Sequence, residues 1–255
     1  MAFSIKAGGA EGTGEVDNRD LRPSPTVVVK EGSRLGLVDA LNKYTEVRRS
    51  KYYSPTTVSA SKIDGCARAI YYEAHKYEQR DIEGKPEWRM VAEFGTALHA
   101  LMEQWFQDLG ATTETRIVSD DHTFSAQFDG TLHTKDGERV IYDIKTVAPK
   151  YFEQGERSFK FRKYIAQLST AGYLEGIRYA VVLLVNRESG ALREYEFEID
   201  PVYAEALLKR ARDVMGMIEN EQLPPAELWG KSDEYPSFYC KTFCPFLLHC
   251  TKERN

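Results

Sequence analysis

The chain has no apolar run approaching the roughly 20 residues that span a bilayer, so no transmembrane helix is expected. Its opening residues, Met1–Lys6, lack the apolar core of a signal peptide, and the expectation is a cytoplasmic protein. Cysteine is scarce, with four in 255 residues, which excludes a disulfide-dense scaffold. Basic charge is not in excess either. Lys and Arg number 34 against 39 Asp and Glu, a net charge of −5, so a protein that coats nucleic acid with bulk positive charge is excluded. Local patches remain available at Arg48-Arg49-Lys51 and Lys160-Arg162-Lys163. There is no internal repeat and no low-complexity tract. A hydrophobic fraction of 42% is that of an ordinary globular protein.

Residues 1–25 are rich in Gly, Glu, Asp and Pro without periodicity and read as a flexible tail. Residues 26–58 read as an arm, with a short strand at Val27–Val29 and a helix around Leu35–Asn42. Residues 59–222 read as one folded domain, and 223–255 as a Pro- and Cys-rich segment without regular structure. Ser59 offers an N-cap for a helix running to about Lys76. A second helix covers about Trp88–Leu109, where Leu98, Leu101, Met102 and Trp105 recur at helical spacing as a buried stripe. Strands are expected over Thr113–Val118, Phe124–Thr134 and Glu138–Thr146, then a helix over Lys160–Gly176. Tyr179–Asn186 reads as a buried strand, Leu192–Ile199 as an edge strand, and Pro201 as the start of a helix to about Asn220. The order α-β-β-β-α-β implies an α/β domain on a mixed sheet.

Chemistry concentrates in Val140-Ile141-Tyr142-Asp143-Ile144-Lys145. Alternation along a strand puts Asp143 and Lys145 on one face. Lys135-Asp136-Gly137 suits a three-residue hairpin loop, which would pair Thr134 with Glu138 and, counting back, Asp129 with Asp143. Two carboxylates facing each other repel unless a cation lies between them. A two-residue Asp-Gly turn would instead send them to opposite faces. His99 lies beside the apolar stripe of the second helix. An imidazole with two carboxylates suits Mg²⁺ or Mn²⁺, and Lys145 could orient a water or stabilise charge on a phosphate.

Gly95-Thr96-Ala97-Leu98-His99, Phe128-Asp129-Gly130, Asp143-Ile144-Lys145 and Gln167-Leu168 resemble, in order, the motifs of RecB-like PD-(D/E)XK nucleases. The likeness spans about Ser59 to Cys250. It implies a restriction-endonuclease-like core in αβββαβ order. It also implies that His99, Asp129, Asp143 and the carbonyl of Ile144 hold the metal, that Lys145 helps activate a water, and that Gln167 positions the lysine or the substrate. Catalysis would rest on Asp129, Asp143, Lys145 and Gln167. Many relatives carry a tyrosine four residues after the glutamine; here that position is Ala171, and Tyr173 lies nearby. Glu103, one turn from His99, and Glu114 are further candidates for the surroundings of the metal.

Cys66, Cys240, Cys244 and Cys250 converging would complete a zinc site or an iron–sulfur cluster. One N-terminal and three C-terminal cysteines flanking the core resemble the iron–sulfur nucleases among AddB-type and CRISPR-associated exonucleases. That resemblance implies a 4Fe-4S cluster, with zinc as the alternative because the first gap is three residues where relatives have two. The cluster would clasp the two ends of the domain. Arg68, Tyr71 and Tyr72 could face single-stranded DNA, or simply pack their helix, and His249 flanks Cys250. The leading expectation is a deoxyribonuclease, most readily an exonuclease acting on DNA ends or single strands in recombination and repair. It would be bacterial or phage-encoded, with a second copy of itself or recombination- or CRISPR-type proteins as candidate partners. A catalytically silent, cluster-stapled DNA-binding subunit and an endonuclease within a larger complex are the alternatives.

Overall fold

The computed structural model describes Leu41 and residues 57–79, 86–113, 115–226 and 238–252. Residues 57–252 belong to the second of the two units into which the chain divides, Asn42–Asn255, and the description concerns that unit. The expected tail, nearly all of the arm with its strand and helix, the patch Arg48-Arg49-Lys51 and Glu114 lie outside the described residues.

Strand β1 (Val58–Ser59) runs into a single 3₁₀ turn, Ala60–Lys62, and helix α1 follows at Ala67–Ala74. The helix expected from Ser59 therefore begins eight residues later, with Cys66 at its N-cap in an extended conformation. The chain turns at Ile63-Asp64-Gly65 because Ile63 is wholly buried and Arg210 donates to the carbonyls of Ile63 (3.1 Å) and Gly65 (2.7 Å). Tertiary contacts override the local cap signal at Ser59.

Helix α2 (Pro86–Asp108) leads to β2 (Thr115–Val118), β3 (Phe124–Phe128), β4 (Gly130–His133) and β5 (Arg139–Val147). Helices α3 (Pro149–Gln154) and α4 (Phe161–Leu174) come next, then β6 (Tyr179–Asn186) and β7 (Leu192–Glu198). Helix α5 (Pro201–Glu219) starts at Pro201, with Asp200 Oδ1 accepting from the backbone of Val202 at 2.9 Å. The C-terminal segment is not irregular throughout, because it holds two short helices, α6 (Phe238–Phe243) and α7 (Leu247–Lys252).

The segment expected as one strand, Phe124–Thr134, is two strands in different sheets. β3 joins β1 and β2 in a three-stranded sheet, and β4 starts a four-stranded sheet ordered β4-β5-β6-β7. The break falls at Asp129-Gly130. Gly130 has φ +158°, and a Cβ there would lie 2.0 Å from the carbonyl oxygen of Thr112. The second sheet is mixed: β5 and β6 run parallel, while both outer pairs are antiparallel. Thr134 and Glu138 pair across the loop, whose Gly137 has φ +83°, and Thr131 lies opposite Ile141. This is the register expected of the three-residue loop.

Strand β5 is covered on both faces, which accounts for its continuous burial from Val140 to Ile144. On one face Tyr142 and Ile144 pack against Met102 of α2, with Leu98 and Phe106 beside it. On the other, Ile141 and Val147 join the main core with Leu168 and Ala171 of α4. The buried stripe of α2 is thus Leu98-Met102-Phe106. Leu101 and Trp105, expected within it, are 42% and 55% exposed, because the sheet meets the helix about one residue further round. No helix among the described residues is long and apolar enough to cross a membrane.

Gly130→Ala should destabilise the domain by about 3 kcal/mol in urea unfolding, since the methyl meets a backbone oxygen rather than a movable side chain. Thr112 cannot withdraw easily: its N–H donates to Thr131 O (3.0 Å) and its hydroxyl accepts from Thr131 N (2.9 Å). An unchanged midpoint would show that this junction is slack.

Candidate active site

The carboxylate of Asp143 points from the middle of β5 toward α4 and is 3% exposed. Lys145, two residues along the same face, places its ammonium in ion-pair contact with Asp143 Oδ2. The Lys145 ammonium also lies 5.4 Å from the ring centroid of Tyr164 on α4. Asp129, at the break between the two sheets, bends back over β5. Its Oδ2 accepts from the backbone N–H of Ile144 at 2.5 Å, and its Oδ1 lies 3.4 Å from His99 Nδ1. Four chain segments therefore meet: α2 brings His99, the β3–β4 break brings Asp129, and β5 brings Asp143, Ile144 and Lys145. Tyr164 comes from α4.

The charges interlock. Burial pushes the Asp143 carboxyl up to about 6; the Lys145 ammonium opposes that rise and the Asp129 charge adds to it. His99 is raised above its ordinary value, first by its hydrogen bond to Asp129, with burial acting against it. Tyr164 is pushed up to about 12 by burial and then by the Asp143 charge, which keeps its hydroxyl protonated. In this state Lys145 is paired with Asp143, and the His99 imidazole lies against Asp129.

His99, Asp129, Ile144 and Lys145 line a cleft of about 790 Å³ between α2 and the C-terminal end of β5, which Asp143 and Tyr164 do not line. Gly95, His99 and Glu103 line one side at one-turn spacing, and Asp129, Ile144 and Lys145 line the floor. Gln127, Tyr151, Lys160 and Arg187 complete the wall. Beyond the C-terminal end of a parallel pair such as β5–β6 is where α/β sheets commonly hold ligands.

The remaining expected residues fall in different places. Gln167 is buried, and its side-chain amide donates to the carbonyl of Gln127 at 2.9 Å. It thus anchors the strand end that carries Asp129 and makes no contact with Lys145. Tyr173 packs at the edge of the core with its hydroxyl on Glu205, away from the cleft, and Ala171 is core. Sequence reasoning missed Tyr164, Tyr151 and Arg187. The signal for Tyr164 was its position one turn before Gln167; for Arg187 none existed, since it follows a strand whose partner was unknown. In the patch Lys160-Arg162-Lys163, Arg162 is tied to buried Asp64 at 2.8 Å, so only Lys160 of that patch lines the cleft.

The four cysteines come from the start of α1 and from the two C-terminal helices and their junction. Burial pushes the Cys244 thiol up to about 11, and the charges of Cys66, Cys240 and Cys250 raise it further, so all four lie within electrostatic reach. Arg68 Nη1 approaches Cys250 Sγ at 3.7 Å. Tyr71 and Tyr72 are buried against Phe246, which rules out base stacking by either ring in this arrangement. His249 Nε2 is engaged by the carbonyl of Glu78 at 2.8 Å. Among the described residues no three His, Cys, Asp or Glu side chains are drawn together tightly enough to hold an ion as they stand.

Whether the residues present fit a divalent cation is a matter of donor chemistry. One deeply buried carboxylate and a second that repels it are hard oxygen donors, with an imidazole beside the second, and a divalent ion would offset the charge that Lys145 offsets here. By that criterion the residues fit.

No protein-family profile matches the sequence, and no curated protein matches it. Among solved structures, SSO0001 superposes with a TM-score of 0.54 at 16% identity, over 87% of this chain and 98% of its own. The two chains share a fold. An alkaline exonuclease from Laribacter hongkongensis, LHK-Exo, gives a TM-score of 0.46 at 14% identity, over 66% of this chain and 91% of its own. Its complex with dAMP gives 0.46 at 15%, over 66% and 90%. That superposition is too loose to carry an argument.

The raised Asp143 carboxyl has a signed consequence. A group whose folded value lies above its unfolded value contributes stability that is complete below the unfolded value, near pH 4, and is lost as pH rises through about 6. Asp143→Asn cannot ionise and escapes that loss. In chelator, the melting temperature of the variant relative to wild type should rise by about 5 °C between roughly pH 4 and pH 7. A difference flat with pH would show that Asp143 is not held against its charge.

Proposed function

We propose that this chain is a divalent-metal-dependent deoxyribonuclease of the PD-(D/E)XK type, acting as an exonuclease on DNA ends or single strands. The observation that carries the reading is the meeting of Asp143, Asp129, His99 and Lys145, of which Asp129, His99 and Lys145 line an open cleft while Asp143, in contact with Lys145, is deeply buried and held against its charge. A soluble scaffold gains nothing from such an arrangement, because removing carboxylates from water costs several kcal/mol.

His99, Asp129, Asp143 and the Ile144 carbonyl would hold Mg²⁺ or Mn²⁺. When bound, such an ion supplies charge stabilisation to a phosphoryl oxygen and lowers the pKa of bound water. The chain's own groups do the rest. Asp129 is oriented by the Ile144 N–H and His99, and that orientation is set before any ligand arrives. Lys145 is paired with Asp143 here; with an ion held by the carboxylates, its ammonium would be free to steady the attacking water or the developing charge on the phosphate. Tyr164 lies beside that ammonium and limits its swing. Gln167 fixes the end of β3 through Gln127 and so holds Asp129 in place. In the hydrolysis, water adds to phosphorus, the ester P–O bond breaks, and the leaving oxygen takes a proton to become a hydroxyl.

Cys66, Cys240, Cys244 and Cys250 would hold a 4Fe-4S cluster, with Zn²⁺ as the alternative. What supports this is that Cys66, Cys240 and Cys250 each lie within electrostatic reach of Cys244, with the Arg68 guanidinium beside Cys250. Four thiolates brought together without a cationic centre repel. The group would tie α1 to the C-terminal helices.

The test is end-labelled single- and double-stranded DNA with Mg²⁺ or Mn²⁺, using protein purified without oxygen and assayed for iron, sulfide and zinc. Wild type should release short products. Asp143→Ala should lose at least about 10³-fold in rate while keeping its fold and its cluster. A folded, cluster-loaded wild type that cleaves neither linear nor plasmid DNA would overturn the nuclease reading in favour of a binding subunit. Plasmid nicking without end resection would replace the exonuclease by an endonuclease.

A further inference from the structure

Two cations in the cleft have no carboxylate. Elsewhere in the site the positive groups are matched: Lys145 contacts Asp143 and His99 lies against Asp129. Lys160 and Arg187 line the same cleft, yet no Asp or Glu among the described residues pairs with either. Lys160 is half-buried at the N-cap of α4, and its ammonium lies 4.2 Å from the ring centroid of Tyr151 on α3. Arg187 reaches the cleft by a different route. Its backbone N–H donates to the carbonyl of Val147 at 3.1 Å, which extends the parallel pairing of β6 with β5 by one residue. That bond brings Arg187 to the same sheet end as Lys145, Thr146 and Ala148. Thr146 lines the cleft too, and its buried hydroxyl has no hydrogen-bond partner among the described residues.

The arrangement is costly without a ligand. Removal from water pushes the Lys160 ammonium below its ordinary value, and the positive charges of Arg187 and Lys163 push it further. With Lys160 half out of water and the exposed Arg187 beside it, the like charges on this wall become favourable opposite an anion. Carboxylates concentrated at the floor and cations at the wall suit a ligand with at least two phosphates, one at each place. A planar guanidinium and an ammonium seated on an aromatic ring are good partners for phosphate oxygens.

We propose that Lys160 and Arg187, with the Tyr151 ring beside the ammonium, form a second phosphate subsite, which holds a neighbouring phosphate of the strand being cleaved at the carboxylates. This deepens the nuclease reading, on which the identity of the strand rests, while the subsite itself requires only that a polyphosphate chain enter the cleft. An internal phosphodiester and a terminal monophosphate both supply such a phosphate, and either is the same chemistry.

The test is fluorescence anisotropy of labelled oligothymidylate on the full chain with Ca²⁺, over a range of salt. Wild type is compared with Lys160→Met, Arg187→Met, the double variant and Lys160→Arg, each checked for an unchanged melting temperature. The double variant should bind about tenfold more weakly, with the slope of log affinity against log salt shallower by about 0.7, and Lys160→Arg should restore most of the loss. Oligomers with a 5′-phosphate, a 5′-hydroxyl, or one methylphosphonate at successive positions identify which phosphate is held. The phosphate that the subsite contacts is the one whose neutralisation weakens wild type but not the double variant. Equal affinity and equal salt slope in wild type and a folded double variant would overturn the subsite, as would failure of wild type to bind. If the double variant does not fold, the single variants decide, each expected to lose about threefold. Cleavage in Mg²⁺ is scored separately. A wild type that binds through Lys160 and Arg187 without ever cleaving keeps the subsite and loses the nuclease reading. One that cleaves with unchanged binding in the double variant does the reverse.

Discussion

Everything in the site depends on a carboxylate held in the interior of a sheet. Asp143 lies on the central strand pair, covered by α4 on its own face and paired with Val182 of β6, with almost no access to water. An ionised group there is tolerated only with a charge partner of good geometry. The surrounding positions follow from that requirement. Lys145 occupies the next position on the same face, Asp129 is bent inward by the Ile144 N–H, and His99 reaches Asp129 from the opposite helix. Removing any one member leaves another charge without its partner.

The two-sheet break is the structural means to that end. Had Phe124–Thr134 run as one strand, Asp129 would have stayed in a ladder with its side chain perpendicular to the sheet. The interruption at Gly130, with its backbone against the Thr112 carbonyl, frees Asp129 to turn over the end of β5. Gln167 then fastens the last residues of β3 from α4. One glutamine therefore acts on the site through the backbone, which is a different route from direct contact with lysine or ligand. Tyr164, from the preceding turn of the same helix, makes the contact with Lys145.

The C-terminal segment gathers sulfur instead. Helix α7 has no buried residue, and a small aromatic cluster, Tyr71, Tyr72 and Phe246, together with hydrogen bonds from the Arg68 and Tyr71 side chains to backbone carbonyls, docks the segment and the preceding loop on α1. Thiols gathered at that junction add no cohesion of their own, and burial holds the Cys244 thiol in its neutral form. The oxygen cluster is a place where the bare chain is less stable than its composition would suggest, a pattern typical of sites shaped for ligands.

By itself the sequence determined the secondary elements with strong local signals and the register of one hairpin. A short, apolar, β-branched run marked β6 to the residue, proline marked the start of α5, and Gly137 in the loop set Thr134 opposite Glu138. That register put Asp129 level with Asp143, because loop length and strand period are both local. The helix at Ser59 was misplaced, because Arg210, 147 residues away, holds the Ile63 carbonyl and delays the helix to Ala67. The buried face of α2 was misjudged by about one residue, because helical spacing leaves the facing sheet free to meet it at several angles. Only the tertiary structure decided that Phe124–Thr134 divides between two sheets, that Gln167 grips backbone, and that Lys160 and Arg187 share a wall with the carboxylates. Those facts depend on which distant segments meet, and contacts of long sequence separation leave no periodic trace in the chain.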